Sequence, residues 1–437
     1  MATIAENLTL LKSTKASIKA AIEAKGVSNV GDKFSDYPAK IASIPTGGST
    51  SGVSQWTGTV DRAGLTELGW STTDIDNLQA NVRWYDWQDP DYTVVDADKS
   101  ITDISQYRNN KNVRYAKMLD TSQATTLNSM FYGCSKLISI PALDTSKVTN
   151  MSYMFKGCGG LTSIPTLDTS QVTSMGSMFN GCTSLTSLPT LDTSKVTNMN
   201  SMFQACSSLT SIPALDTSQV TSMENVFYGC SSLTSIPALD TSKVTSMVYM
   251  FYGCSSLTSI PTLDTSQVTN MSGIFRGCSG LTSVPTLDTS QVTDMNSMFN
   301  GCGGLTSIPA LDTSKVTDMG DMFMNCSSLT TIESIDFSSC TRKDNMFPSY
   351  PRLDKLTSIH VTGSISFSWP SGGFGNVHNL DFNSIKSILE AMNRCTNPET
   401  AKTMSFKATM TDQDSQLTNL VSECNGKGWT ITGLTIN

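Results

Sequence analysis

Apolar side chains recur along this chain at unequal intervals that repeat without drift. In residues 143–166, LDTSKVTNMSYMFKGCGGLTSIPT, they stand at Leu143, Val148, Met151, Met154, Phe155, Cys158, Leu161 and Ile164, and the same set returns every 24 residues. Copies open at Leu119, Leu143, Leu167, Leu191, Leu215, Leu239, Leu263, Leu287 and Leu311, and a degraded tenth opens at Ile335. A fixed period of this size marks a solenoid: one turn cannot bury its own apolar face, and stacked turns share a continuous core. The expected fold class is a β-rich α/β repeat solenoid. LTSIP and the shorter VTNM read as extended pieces on two sides of the coil, with parallel ladders to the turns above and below. Phe155 to Cys158 reads as a tight helical or 3₁₀ turn between them, and Pro165 closes the second extended piece.

The flanks obey other periods. Residues 1–45 form a helical N-terminal segment: Ile4, Leu8, Leu11, Lys15, Ile18 and Ile22 give the seam of a short coiled coil, Gly26 ends it, and Phe34, Tyr37, Ile41 and Ile44 follow as docking anchors. Helices this short are marginal alone, so the segment calls for a partner surface or for self-association into a homo-oligomer. Residues 46–54, TGGSTSGVS, are a Gly/Ser linker. Residues 55–118 hold Trp56, Trp70, Trp84 and Trp87, with a helix expected from Ser71 to about Ala80 and a strand in TVVDADKSI; an N-terminal cap over the first turn is the expected role. The solenoid is assigned to 119–359. Residues 360–437 are expected to close the other end, as a helix in DFNSIKSILEAMNRC with Ile385, Ile388, Leu389 and Met392 inward, a strand in TMSFKATM, a helix in QLTNLVSECNG and a last strand in GWTITGLTI. Trp369, Phe374 and His378 fall in a glycine-rich stretch read as a loop at the tip.

Composition narrows the functional classes. The net charge of −8 is concentrated in the array, so nucleic acid is not an expected partner. No apolar run is long enough to span a membrane. The start lacks a basic region followed by an apolar core, and folding in a cytoplasm is expected. Nine of the 12 cysteines share one repeat position, from Cys134 to Cys326, which reads as a buried column of small apolar side chains; neighbouring turns lie within disulfide range, so that alternative stays open.

No catalytic constellation emerges. His360 and His378 have no acid or cysteine at ligand spacing, and no phosphate-binding or dinucleotide motif occurs, so no cofactor or metal is expected and the chain is not read as an enzyme. A polysaccharide depolymerase is the one enzyme class to weigh, through the off-pattern acids Glu224, Asp294, Asp318, Asp321 and Glu333. The Asp of each LDTS, Asp144 for example, is expected to accept hydrogen bonds from its own Thr-Ser turn; one carboxylate per turn lacks the clustered oxygens that calcium requires.

Variation among the copies points to a candidate binding stripe. The residue after Phe reads Tyr132, Lys156, Asn180, Gln204, Tyr228, Tyr252, Arg276, Asn300 and Met324, and the pair preceding the Met-Phe varies too, including Tyr153 and Tyr249. Tyr132, Tyr153, Tyr228, Tyr249, Tyr252 and Arg276 are the candidate ligand contacts. Drift on a solvent face would give similar variety. Asp144, Phe155, Cys158, Leu161 and Ile164 are the structural ladder.

The pattern MFxGCSSLTSIP followed by LDTSxVTxM, over about residues 119–359, resembles the BspA-like bacterial surface leucine-rich repeats. The family version carries additional residues before LDTS, where this chain has a compact IPA or IPT. The resemblance implies a right-handed leucine-rich-repeat coil and a role in adhesion or recognition, with no catalytic residues to transfer. Residues 1–45, with NLxLLKxxKxxIKxAIxxKG and FSDYPAKI, are similar to N-terminal anchoring segments of phage tail and head fibre proteins, and GLTELGWSTTDIDNLQ to DPDY resembles a segment preceding such repeats in gut bacteria and their phages. Together these imply an adhesion protein on a virion surface, attached to a baseplate, tail or capsid protein through residues 1–45 and recognising a host surface glycan or protein. A bacterial cell-surface adhesin and an architectural rod without ligand are the alternatives.

Overall fold

The structure is a computed structural model. It describes residues 121–348, 353–365, 377–395, 402–412 and 414–437, together with Arg108, Asn109, Lys111, Phe374 and the backbone of four short strands before the array. The expected N-terminal coiled-coil helix, residues 46–52 of the linker, the helix after Ser71 and Trp369 lie outside the described residues, while Val53 and Ser54, expected in the linker, are in a strand. The chain forms two compact units, one of residues 1–98 and 112–119, the other of 99–111 and 120–437. In the first, β1 (Val53–Gln55) pairs antiparallel with β2 (Arg83–Tyr85), and β3 (Thr93–Val95), inside the expected TVVDADKSI strand, pairs parallel with β4 (Val113–Ala116).

The second unit is a stack of 24-residue turns. Isolated parallel bridges run Thr126–Asn150–Ser174–Asn198 and Ser222–Ser246–Asn270–Asp294–Asp318–Arg342, so the VTNM piece joins its neighbours at one bridged residue per turn. The dense bonding lies just after it, and it corrects the expected helical turn. The N–H groups of Met151, Tyr153, Phe155 and Gly157 donate to the carbonyls of Ser174, Gly176, Met178 and Asn180 on the next turn at 2.7–3.0 Å. Those of Met154, Lys156 and Cys158 donate three residues back within their own turn. A 3₁₀ helix would keep all these donors inside the turn. Here Tyr153 (φ 60°) and Gly157 (φ 79°) take left-handed conformations at the third place of successive β-turns, and every second N–H is thereby aimed along the rod.

The LTSIP piece is bonded more thinly than expected. Thr162 N–H reaches Ile138 O at 3.2 Å, and the equivalent bond from Thr234 to Thr210 is 3.4 Å. Proline is the reason. β5 (Ser307–Ile308) stops after two residues in front of Pro309, whereas one turn later Glu333 replaces the proline and β6 runs six residues, Thr331–Asp336.

Inside, the repeats superpose side chain on side chain. Phe131 to Phe323 are buried and stack with ring centroids 5.6–6.2 Å apart. Leu161 is fully buried and Ile164 nearly so. All 12 cysteines are buried and none is in a disulfide. From Cys158 to Cys326 each repeat thiol donates to the carbonyl of the Phe 27 residues earlier, at 3.0–3.2 Å, and burial drives the Cys158 thiol far above its ordinary pKa.

Both ends of the array carry turns that the copy count missed. Asn109 (φ 60°) donates its N–H to Tyr132 O, as Gly133 does to Lys156 O one turn later, so turn geometry begins ahead of Leu119. At the other end the spacing lengthens from 24 to 27: β6 pairs with β7 (Ser358–Thr362), Thr331 opposite Ser358. Phe374 is not in an open loop. It is fully buried, 5.1 Å from the Phe347 ring and 6.4 Å from that of Phe406, and Val377 N–H bonds back to its carbonyl as Cys158 does to Phe155. Then follow α1 (Phe382–Asn393), β8 (Lys402–Met410), α2 (Gln416–Gly426) and β9 (Trp429–Ile436), with β8 and β9 parallel. Asp381 caps α1 through Ser384 N–H at 2.7 Å, and Ile385, Ile388, Leu389 and Met392 face inward as expected.

Candidate functional site

Each turn offers solvent two side-chain columns of opposite character. The first is the LDTS turn. Asp144 Oδ1 accepts from Ser146 N–H at 3.1 Å and from Ser146 Oγ at 2.7 Å, as expected, and these bonds hold its carboxyl below the usual pKa. Beside it, the recurring Gln and Lys are cross-turn pairs: Lys147 donates to Gln123 Oε1 at 3.1 Å, and Lys195, Lys243 and Lys315 do the same to Gln171, Gln219 and Gln291. Behind the turn, Thr121 donates its hydroxyl to Asp144 O at 2.7 Å. The sequence of this face is nearly uniform and most of its polar groups bond within the array, the buried Thr145, Thr169 and Thr289 hydroxyls being exceptions.

The second column follows the buried Phe, and here the candidate contacts gather into two clusters. Tyr228 and Tyr252 stack face to face at 4.3 Å, one turn apart; Tyr249 stands edge-on to both, at 6.4 and 5.7 Å; and the Arg276 guanidinium lies 5.4 Å over the Tyr252 ring. Partial burial, then the neighbouring Tyr252, raises the Tyr228 pKa. Toward the start of the rod, Arg108 lies 5.5 Å over Tyr132, and Lys156 lies 6.0 Å over Tyr132 and 5.4 Å over Tyr153. Asn180 and Gln204 bridge the interval with a 2.7 Å bond.

Two backbone features support the tyrosines, and the sequence reading had not registered them. Tyr153 and Tyr249 both sit at the left-handed position, φ 60° and 53°, that other turns fill with Ser, Asn, Asp or Gly, and a bulky side chain there is strained. Gly273 sits at that same position on the next turn, and a Cβ there would fall 2.3 Å from Tyr249 Cε1. The glycine is the notch in which that ring rests. Its departure from Ser was the readable signal.

The off-pattern acids are each engaged by a local partner. Asp294 and Asp318 accept the N–H two residues on, as Asn150 does, and Arg342 neutralises Asp318 at 3.0 Å. Asp321 accepts from Asn345, Glu224 from Ser246, and Glu333 from Ala310 N–H. Among the described residues no group of three or more His, Cys, Asp or Glu could hold a metal ion, and no helix is long and apolar enough to cross a membrane. His378 borders an open depression with Lys407, Met410 and Thr435.

A parallel-stacked repeat coil with one uniform and one varied outer column is the class of protein these features define. The family model described as "Mycoplasma protein of unknown function, DUF285" matches residues 99–211, 186–280 and 257–359, more than half of the chain, and the chain belongs to that family. Its first match starts at 99, ahead of the first regular copy, as does the compact unit that contains the array. No curated protein matches in a sequence search. Similar solved structures include a leucine-rich repeat protein from Eubacterium ventriosum (17% identity, TM-score 0.34, 45% of this chain and 61% of that one). Others are the T. pallidum leucine-rich repeat protein (22%, 0.25, 41% and 69%) and a Leptospira interrogans LRR protein (8%, 0.20, 78% and 95%). The chain thus spans less than two thirds of the Eubacterium protein, and at these scores none assigns a role to any residue here.

Proposed function

We propose that this chain is a recognition rod: a right-handed leucine-rich-repeat coil whose varied column binds a partner at a cell surface, without catalysis or cofactor. The observation that carries this reading is the Tyr228–Tyr249–Tyr252–Arg276 cluster, in which four side chains from three turns form one half-exposed aromatic and cationic surface on an otherwise repetitive scaffold. Preset aromatic faces lose little entropy on contact, which suits them to sugar or protein surfaces. In the finer reading the rod belongs to a phage tail or fibre, folds in the host cytoplasm, is anchored to a baseplate, tail or capsid protein through residues 1–45, and meets a host surface glycan or protein. The resemblance of NLxLLKxxKxxIKxAIxxKG to fibre anchors supports this, and a bacterial cell-surface adhesin is the other setting.

The test is flow cytometry of labelled full-length protein on a panel of bacterial cells. The triple variant Tyr228→Ser, Tyr249→Ser, Tyr252→Ser is expected to lose binding wherever the parent binds while still unfolding in one cooperative transition only slightly below the parent's; undiminished binding refutes the reading. Immunogold labelling of purified phage particles separates the settings, and a particle without label excludes the virion. A second reading is architectural: the variable side chains also bond to one another, Asn180 to Gln204 and Tyr228 to Tyr252, and can act simply as glue between turns. That reading expects no cell binding by the parent protein and a marked loss of stability in the triple variant.

A further inference from the structure

Three cations of the varied column are held over aromatic rings. Arg108, Lys156 and Arg276 stand on it, two and then five turns apart, each over a tyrosine ring, and among the described residues none has a carboxylate within ion-pair distance. The other candidate acids nearby are occupied: Glu224 accepts from Ser246 Oγ, and Asp321, at the far end, accepts from Asn345. This contrasts with the rest of the chain, whose net charge is −8 and whose LDTS face presents an exposed aspartate on each turn. A cation over an aromatic face without a counter-ion keeps most of its charge available to a ligand. The electrostatics therefore select a negatively charged partner for this one line along the rod and repel it elsewhere.

The spacing and the ring geometry narrow the partner further. Successive turns of a parallel stack rise about 4.8 Å, close to the length of one pyranose unit, so an extended sugar chain laid along the column keeps step with the turns. Tyr228 and Tyr252 cover each other's faces and Arg276 lies over Tyr252, so these half-exposed rings offer a sugar their edges and phenol hydroxyls, and Asn180 and Gln204 offer amides for hydroxyls. Single-stranded nucleic acid would need open aromatic faces for its bases, and here those of Tyr228 and Tyr252 are covered by one another and by Arg276. Resting on the recognition reading above, we propose that the column binds an acidic linear polysaccharide aligned with the rod, its carboxylate or sulfate groups at Arg108, Lys156 and Arg276 and its sugar hydroxyls along the tyrosine edges and amides between them.

The experiment is biolayer interferometry of the immobilised full-length chain against polygalacturonate, hyaluronate and dextran sulfate, with dextran as neutral control and oligothymidylate as phosphate control, at low and at raised salt. At least one acidic polysaccharide is expected to bind at least about tenfold more tightly than dextran, with affinity falling as salt rises. Arg276→Gln and Lys156→Gln are each expected to weaken it by about fivefold or more, while Lys315→Gln, a cation of the other column, leaves it unchanged. Thermal transitions matching the parent show that the variants are folded. Equal binding of dextran, insensitivity to Arg276→Gln, preference for oligothymidylate, or no binding by any acidic polysaccharide overturns the proposal. Failure here is distinct from failure of the recognition reading: cell binding that the tyrosine triple variant abolishes, but that none of these polymers competes away, leaves the rod a recognition protein and removes only the acidic glycan.

Discussion

Two neighbouring positions of the repeat, the buried Phe and the residue after it, sit on the same backbone and meet opposite demands. The Phe column is the same residue on all nine regular turns, fully or almost fully buried, with rings 5.6–6.2 Å apart. The next column reads Tyr, Lys, Asn, Gln, Tyr, Tyr, Arg, Asn, Met, and its bonds differ from turn to turn: cation over ring, amide to amide, ring on ring. Inside, any departure leaves a gap or a clash in a stack that cannot relax sideways. Outside, water fills whatever a side chain vacates, and the backbone ladder of alternating N–H groups holds the turn whichever residue stands there.

The largest expected effect comes from the inner face at alkaline pH. Burial pushes the Cys230 and Cys326 thiols from 9.0 up to about 12. The fold therefore favours the neutral thiol, and its contribution is complete below pH 9 and is lost as pH rises from 9 toward 12. The loss is about 1.4 kcal/mol per thiol for each pH unit in that window. Urea midpoints should fall steeply between pH 8 and pH 10.5, and a flat profile would contradict the sealed column. Next in size, Phe227→Ala should cost about 3–5 kcal/mol, whereas Tyr252→Ser, one turn on and one residue out, should cost about 1 kcal/mol. Comparable losses in denaturant titrations would erase the distinction between the columns. The smallest effect belongs to the LDTS face. Hydrogen bonds from Ser218 and Ser146 hold Asp216 and Asp144 below 3.8, so their contribution is present above that pH and fades as pH falls through their lower folded values. A slight decline of the melting temperature below about pH 4, shared with Asp168, Asp192, Asp240, Asp288 and Asp312 and therefore reduced when Asp144 and Asp216 are replaced by Asn, checks it.

The core was legible in the sequence because a 24-residue period leaves no choice about which side chains meet: Phe155, Cys158, Leu161 and Ile164 had to find their own copies. The Asp144 turn was legible for the opposite reason, since an aspartate two residues before a Ser N–H satisfies itself locally. Less was legible where backbone direction decides. Nothing in Met-Ser-Tyr-Met announces a left-handed Tyr153, and that conformation is what turns an expected 3₁₀ segment into a ladder. The pairing of Lys147 with Gln123 has no local signature because its partner lies 24 residues away. Phe374, Val377 and Leu380 do repeat the three-residue steps of Phe155, Cys158 and Leu161, but at a distance of 27 from Phe347, and a search at 24 passes over them. The candidate tyrosines were picked out as variable letters; their gathering into clusters needed the stacking of turns and the missing Cβ of Gly273.

The lengthening from 24 to 27 residues has a further consequence. A coil of identical turns carries identical donor and acceptor rows at every level, and such an edge is a template for another copy of itself, the geometry that generates open-ended filaments. By pairing Thr331 with Ser358 across 27 residues and then bending Val361 and Thr362 past a bulge, the chain replaces its 24-residue edge with one that no regular turn can match. The irregular turn breaks the spacing on which copy-to-copy pairing of identical edges depends.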